Sequence, residues 1–355
     1  MATLEQGVGA DVYMGRVIRT LNDGFITLMM SIGHRTGLFD TLATLPPSTS
    51  AQIAEAAGLN ERYVREWLAA MTTGRFVDFD PATATYTFPI EYAAFLTRAA
   101  GPNNLAVAAQ FLPLLASVED QILATFRKGG GVPYKEYERF HEVMGEERAK
   151  MVSPAFVEAM LSFMPGMRAK LVEGADVLDV GCGRGRVLIE MAKMFPASRF
   201  RGDDFSREAI AAARVEADDY GVQNLAFEVV DVAQLDDVHA FDLITAFDAI
   251  HDQAFPTRVL QNIAAALRDD GVFLMQDIAG SSQLEQNIGH PFGPYLYTVS
   301  TMHCMSVSLA HDGEGLGTMW GEERARQMLW DAGFSRLKFE RVEVDPLNYY
   351  CVAKK

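Results

Sequence analysis

The run Val177-Leu178-Asp179-Val180-Gly181-Cys182-Gly183-Arg184-Gly185 constrains the fold of this chain more than any other stretch. Its apolar opening reads as a buried parallel strand, and Arg186 to Phe195 carries apolar residues at helical spacing before Pro196 stops it. Glycines at every second position of the intervening turn permit positive φ and let backbone approach a ligand, because no Cβ intervenes. A ligand is therefore expected across the strand ends, near the helix N-terminus. Ser198 to Phe205 reads as a second strand ending in Asp203 and Asp204, about 20 residues past the last glycine, where a ribose-binding carboxylate stands in nucleotide-binding βαβ units. The third glycine of the dinucleotide fingerprint is missing, so a nucleoside fits better than a pyrophosphate-bearing ligand.

The stretch Asp179 to Gly185 resembles the first motif of the class I S-adenosylmethionine-dependent methyltransferases, and the similarity spans roughly Met151 to Lys355. That resemblance implies an α/β, Rossmann-like domain with a seven-stranded mixed sheet covered by helices on both faces, and S-adenosyl-L-methionine as cofactor. It also implies cofactor contacts from Asp179, Gly181, Gly183, Gly185, Asp204, Phe205, Asp231, Val232 and Phe247. Asp231 ends a third strand that starts at Leu225. Its carboxylate supplies the acceptor that an adenine amine needs, and in the family the next backbone N–H, here that of Val232, meets a ring nitrogen. Asp203 departs from the family, which carries an apolar residue there, so the ribose contact is open to a slip of one residue.

A fourth strand, Phe241 to Phe247, runs into Asp248-Ala249-Ile250-His251-Asp252. The helix from Pro256 and the strand Val272 to Asp277 complete the alternation of strand and helix that implies a doubly wound parallel sheet. Glu322 to Asp331 reads as a last helix, and Phe334 to Val344 with Asn348 to Ala353 as a terminal hairpin. His251 suits a general base, its ordinary pKa being about 6.5. Its Ile-His-Asp setting resembles the Leu-His-Asp motif of small-molecule O-methyltransferases, where the histidine is the base, and Asp277 matches the acid that orients it. A histidine that only packs the strand end is the plainer alternative. A second acid that flanks the base in plant-type relatives is replaced by Met319, with Glu322 the nearest acid.

Residues 279–318 are too long for an idle loop in a compact domain. Tyr295, Tyr297, Met302 and His303 suit the wall of an apolar acceptor site under a lid hinged at Gly313, Gly315 and Gly317, or, more plainly, packing against the sheet. Phe156, Met160 and Met164 lie in a Met and aromatic stripe that is ordinarily core; in related O-methyltransferases the matching segment faces the acceptor, so they too are candidate walls. No metal is expected, because the spacing of His290, His303, Cys304 and His311 matches no zinc template.

In the N-terminal half, Val12 to Arg35 reads as a helix with a broad apolar face. Ser50 to Leu59 and Glu61 to Thr73 read as a helix-turn-helix, and Phe76 to Phe79 with Thr85 to Phe88 as the hairpin of a winged helix. Leu105 to Phe126 reads as helix interrupted by Pro113. Arg62 and Arg65 invite a DNA-binding reading, but acids interleave with them and the net charge is −16, against the basic patch such binding requires. This half resembles the winged helix that pairs two subunits of small-molecule O-methyltransferases, including a bacterial, largely mycobacterial group. Residues 1–150 are thus expected to form a winged-helix-like dimerisation domain with a helical linker, and residues 151–355 the methyltransferase domain.

Three cysteines without metal-ligand spacing fit reduced thiols in a cytoplasm. The longest apolar stretch, Phe25 to Ile32, is far short of the ~18 residues of a membrane span. Taken together, the expectation is a cytoplasmic homodimer that methylates a small, apolar or aromatic molecule, at oxygen by preference, without nucleic acid or membrane as partner. The rival is a ligand-responsive transcription regulator that puts its winged helix on DNA and takes S-adenosylmethionine as effector.

Overall fold

The computed structural model describes residues 10–342 and 345–355, and the chain divides into two compact units between Pro113 and Leu114. The first nine residues of the expected N-terminal domain, and the end of the expected strand at Val344, lie outside the described residues.

The first unit is helical. Helix α1 spans Ala10–Thr36, α2 Leu38–Thr44, α3 Ser50–Ala57 and α4 Glu61–Thr73. Thr49 starts α3 with a capping box, its side chain accepting from the Gln52 N–H while the Gln52 side chain accepts from the Thr49 N–H. Asn60 caps α4 in the same sense. The core of this unit gathers Phe39, Ile53, Trp67, Leu68 and Met71, and the Trp67 indole N–H donates to Met29 O at 2.8 Å, which ties α4 to α1. Gly33 is required there, since a Cβ would fall 2.6 Å from the Trp67 ring. The wing is the hairpin β1 (Asp78–Asp80) and β2 (Thr85–Thr87), its first strand two residues later than the sequence pattern indicates. Pro113 does not interrupt a helix: it is the third residue of Phe111–Ala116, in the first turn, where the N–H it lacks has no intrahelical partner to lose. The break falls later, at Ser117 and Val118, before the helix Glu119–Lys128.

The second unit is built on a seven-stranded sheet. Its strands are β3 (Asp176–Val180), β4 (Arg199–Asp204), β5 (Leu225–Val229), β6 (Phe241–Phe247), β7 (Leu267–Ile278), β8 (Arg336–Val342) and β9 (Asp345–Lys354). They lie in the order β5-β4-β3-β6-β7-β9-β8, parallel except for β9, which runs antiparallel to both β7 and β8. Successive residues feed two cores, as the two-residue period of a strand demands. Leu243, Leu274 and Tyr350 pack on one face with Leu188 and Ile210. Ile244, Phe273, Met275 and Tyr349 pack on the other with Leu260 and Leu329. Both faces being covered explains why residues 241–246 of β6 and 271–278 of β7 are buried without a break. The strand order reverses between β3 and β6, so the carboxyl ends of those two strands flank the crevice where ligands of such sheets bind.

Phe156, Met160 and Met164, expected as walls of an acceptor site, are at most 4% exposed and sit in the first of these cores. The stripe is packing: the helix Pro154–Ser162 lays it against the helix Arg186–Met194 and Tyr350. Residues 279–318 are largely helical rather than an irregular loop. They hold the helices Leu284–Asn287, Gly293–Val299 and Met305–Leu309, the last two joined by one turn of π-helix, Ser300–Cys304. No helix among the described residues is long and apolar enough to cross a membrane.

Candidate active site

Gly181, Gly183 and Gly185 all take positive φ in the turn after β3, at 67°, 54° and 67°. Their reasons differ. A Cβ on Gly185 would fall 2.2 Å from the Phe227 ring, and one on Gly181 2.6 Å from Ala249 Cβ, whereas one on Gly183 would meet nothing within 4 Å. The outer glycines are thus demanded by packing, and Gly183 fronts open space.

Asp204, at the end of β4, accepts from the Gly183 N–H at 2.9 Å and from the Ser206 N–H at 2.8 Å. These bonds fix its carboxylate beside the turn. Asp203 points to the other face, where its Oδ2 accepts from Arg201 Nη2 at 3.0 Å, and Arg201 also pairs with Asp237. Of the two acids, it is Asp204 that borders the glycine turn. Asp179 accepts from the Thr245 hydroxyl at 2.7 Å. Burial drives Asp179 up to about 7 and Asp203 to about 6 and raises Asp204, despite the hydrogen bonds and cations that oppose it. Asp179 and Asp204, both buried and raised in this way, would be best satisfied by hydroxyl or ammonium donors.

Asp231 lies just beyond β5 and caps the short turn Val232–Gln234, accepting from the Ala233 N–H at 3.0 Å and from Gln234 Nε2 at 2.9 Å. Val232 is buried beside it. Phe205 stays half-exposed at the end of β4, with the Tyr134 ring edge-on at 5.5 Å. Phe247 closes β6 under the Arg148 guanidinium, 5.8 Å from its ring centre. Arg148 also donates to Asp248 at 2.6 Å, which holds Asp248 at φ 50°, a left-handed conformation unusual for a residue with a side chain.

His251 and Asp277 emerge from the ends of β6 and β7, both buried, with Nδ1 2.8 Å from Asp277 Oδ1. Burial alone would depress the imidazole, but Asp277 and Asp252 outweigh it and hold His251 well above its ordinary value. Asp252 Oδ1 lies 3.3 Å from Nε2, so the flanking acid comes from the adjacent residue. Met319 packs with Ile278 and Leu296, and Glu322 pairs with Arg326 and Arg341 instead.

Tyr295 and Tyr297 pack on the cluster of Ile278, Leu296 and Met319 at the end of β7, and the Tyr297 hydroxyl accepts from Asn287. Met302 O accepts from the Tyr137 hydroxyl at 2.6 Å. His303 is fully buried and stacked on Phe140 at 3.7 Å, with Tyr134 and Tyr137 edge-on; burial pushes it down to about 4. An aromatic strap, residues 134–141, thus joins Phe205 at the end of β4 to His303 in the π-turn. No sequence pattern marks this strap, Arg148, or the approach of Asp252 and Cys304 to His251. Asp252 does stand next to His251 in the chain, whereas the strap lies outside any periodic segment.

A glycine turn at a topological switch, acids closing the next two strands and a paired histidine at the fourth define an α/β domain of the class I methyltransferase fold. Residues 171–320 match the family described as a methyltransferase domain, and residues 24–98 the family described as an Rv2258c-like winged HTH domain. The chain therefore combines an N-terminal winged helix-turn-helix domain with a methyltransferase domain. Ubiquinone biosynthesis O-methyltransferases of Candida albicans and Coxiella burnetii are each 28% identical to it, over 104 and 154 residues. These stretches are 29% and 41% of this chain, and 32% and 60% of the relatives' own length. Among solved structures, PigF with SAH superposes with a TM-score of 0.72 at 16% identity, covering 98% of this chain and all of its own. Mitomycin 7-O-methyltransferase MmcR does so with a TM-score of 0.71 at 17% identity, covering 97% and 98%.

Proposed function

We propose that this chain is an S-adenosylmethionine-dependent methyltransferase that methylates an oxygen of a small, apolar or aromatic molecule. The observation that carries the reading is the Asp204 carboxylate, bonded to the Gly183 N–H at the one glycine of the turn that fronts open space. Asp204 is placed to accept from ribose hydroxyls, and Asp179 faces the place of an amino acid ammonium. Asp231 and Val232 stand where an adenine is read, and Phe205 and Phe247 border it. When bound, the cofactor would supply an electrophilic sulfonium methyl, which the acceptor oxygen would take in line as the carbon–sulfur electron pair leaves with the thioether. His251 Nε2 takes the acceptor's hydroxyl proton, while Asp277 accepts from Nδ1–H and stabilises the imidazolium. Tyr295, Tyr297, Met302 and His303 border the acceptor side.

The same reading makes the protein a cytoplasmic homodimer through its N-terminal domain, with no nucleic acid or membrane partner. Val17, Ile18, Leu21 and Phe25 of α1 stand exposed in a row on the single chain, and a second copy would cover them. The regulator alternative loses support from α4: Arg62 is paired with Glu66 at 2.5 Å and Arg65 with Glu61 at 2.5 Å, so the helix offers a DNA phosphate little uncompensated charge. The test is transfer of a labelled methyl group to a panel of phenols and hydroxyquinones. His251→Ala is expected to lower turnover by about 10²–10⁴-fold while leaving cofactor affinity unchanged; equal turnover per folded molecule would refute the base assignment.

A further inference from the structure

With Nδ1 turned to Asp277, the second ring nitrogen of His251 faces a different pair of groups. Asp252 Oδ1 stands 3.3 Å from Nε2, and one ligand atom from each of His251, Asp252 and Cys304 lies within 4.8 Å of the other two. Asp252 Oδ1 is buried and makes no hydrogen bond, the approach to the imidazole lacking the required geometry. Cys304 closes the π-turn Ser300–Cys304 and comes within hydrogen-bonding reach of His251. Such turns carry one extra residue in the helical register and occur frequently at functional sites.

A nitrogen, a carboxylate oxygen and a sulfur converging on one point form a donor set for a thiophilic cation. Zinc bound at about 2.0–2.3 Å by tetrahedral ligands has ligand-to-ligand edges of roughly 3.3–3.8 Å. The His251–Asp252 edge already has that length, and bringing the thiol from at most 4.8 Å to zinc-bound distance requires a shift on the order of 1 Å. Three protein ligands leave a fourth position open, the count of a catalytic site rather than a closed structural one. Asp277 stands where a metal-bound histidine has its backing carboxylate, which fixes the tautomer and leaves Nε2 for the metal. His303, next to Cys304 in the chain, is not among the converging ligand atoms.

We propose that His251 Nε2, Asp252 and Cys304 bind one divalent cation of the zinc class. Binding releases the thiol proton of Cys304 and any proton on Nε2 to solvent, so a bound cation and proton acceptance exclude one another at His251. The site stands on this geometry alone and does not depend on methyl transfer.

The experiment uses the full chain, stripped with a chelator, dialysed and titrated with Co²⁺. One equivalent is expected to bind, with a thiolate-to-cobalt charge-transfer band in the near ultraviolet and the strong visible bands of four-coordination, all displaced by Zn²⁺. Cys304→Ser abolishes the charge-transfer band, and Cys351→Ser, in the core strand β9, leaves it intact. Asp277→Asn keeps the band but weakens affinity by about 10–100-fold, the usual effect of losing a backing carboxylate. Asp252→Asn, at a partly exposed position, weakens it at least about 10-fold while the protein stays folded by circular dichroism. A saturated wild type without the thiolate band, or a band that survives in Cys304→Ser or is indifferent to Asp252→Asn, would overturn the site.

Discussion

His251 presents Nδ1 to Asp277 Oδ1 at 2.8 Å, a contact between the ends of two neighbouring strands that is buried on both sides. It decides which ring nitrogen faces the crevice, and with Asp252 it keeps the imidazole protonated above the ordinary histidine range. In the proposed mechanism such a base must first shed its proton, and a bound sulfonium nearby would favour this by like-charge repulsion.

Turnover is therefore expected to rise with pH through a pKa above the usual ~6.5. Asp277→Asn should move the rise to lower pH, since it removes a charge that lifts the imidazole. Stability follows the complementary sign. A histidine raised on folding contributes stability that is fully present below its unfolded pKa and lost as pH rises through the folded one. Melting temperature against pH should fall in that window for the wild type and flatten in His251→Ala.

Asp179 gives the opposite trade. Burial lifts it to about 7, so in the ligand-free protein its carboxyl becomes charged only near neutrality, and the charged form is penalised above that pH. Asp179→Asn should raise the stability of the ligand-free protein at pH 8 by about 1–3 kcal/mol, seen in urea unfolding, while cofactor affinity falls. Unchanged affinity would remove Asp179 from the cofactor site.

The glycines of the turn separate folding from binding. Gly183→Ala adds a side chain in open space at φ 54°, with a backbone cost of about 1–2 kcal/mol, and should leave a folded protein that binds cofactor poorly. Gly185→Ala drives a Cβ into Phe227 and should lose stability first. Thermal melting and calorimetry on the two variants check the contrast.

Pairing through α1 is tested by light scattering. The full chain should run as a dimer at micromolar concentration, and Leu21→Glu with Phe25→Glu should yield a folded monomer, because both side chains are exposed on the single chain.

Much of this was legible in the sequence where local chemistry and burial agree. β6 was bounded at both ends, Phe241 and Phe247, because it is buried on both faces and closed by a change of pattern. The glycine turn and Asp204 were legible because positive φ favours glycine and the turn's free N–H needs an acceptor at the end of the next strand. Phe156, Met160 and Met164 were not, since an apolar stripe looks alike whether it meets a core or a substrate. Residues 279–318 hid their helices behind glycines, prolines and a π-turn that breaks the period. The pairing of Arg148 with Asp248, and the approach of Cys304 to His251, join segments far apart in the chain, and no local pattern marks them.

The central claim is that a nucleoside cofactor sits between the glycine turn and Asp204, and calorimetry with S-adenosylhomocysteine tests it most directly. One equivalent should bind per chain of the wild type. In Asp204→Ala, loss of charge-assisted hydrogen bonds worth about 1.5–3 kcal/mol each should weaken binding at least about tenfold, with the fold retained by circular dichroism. A wild type that does not bind, or an Asp204→Ala protein that binds as tightly, would contradict the account.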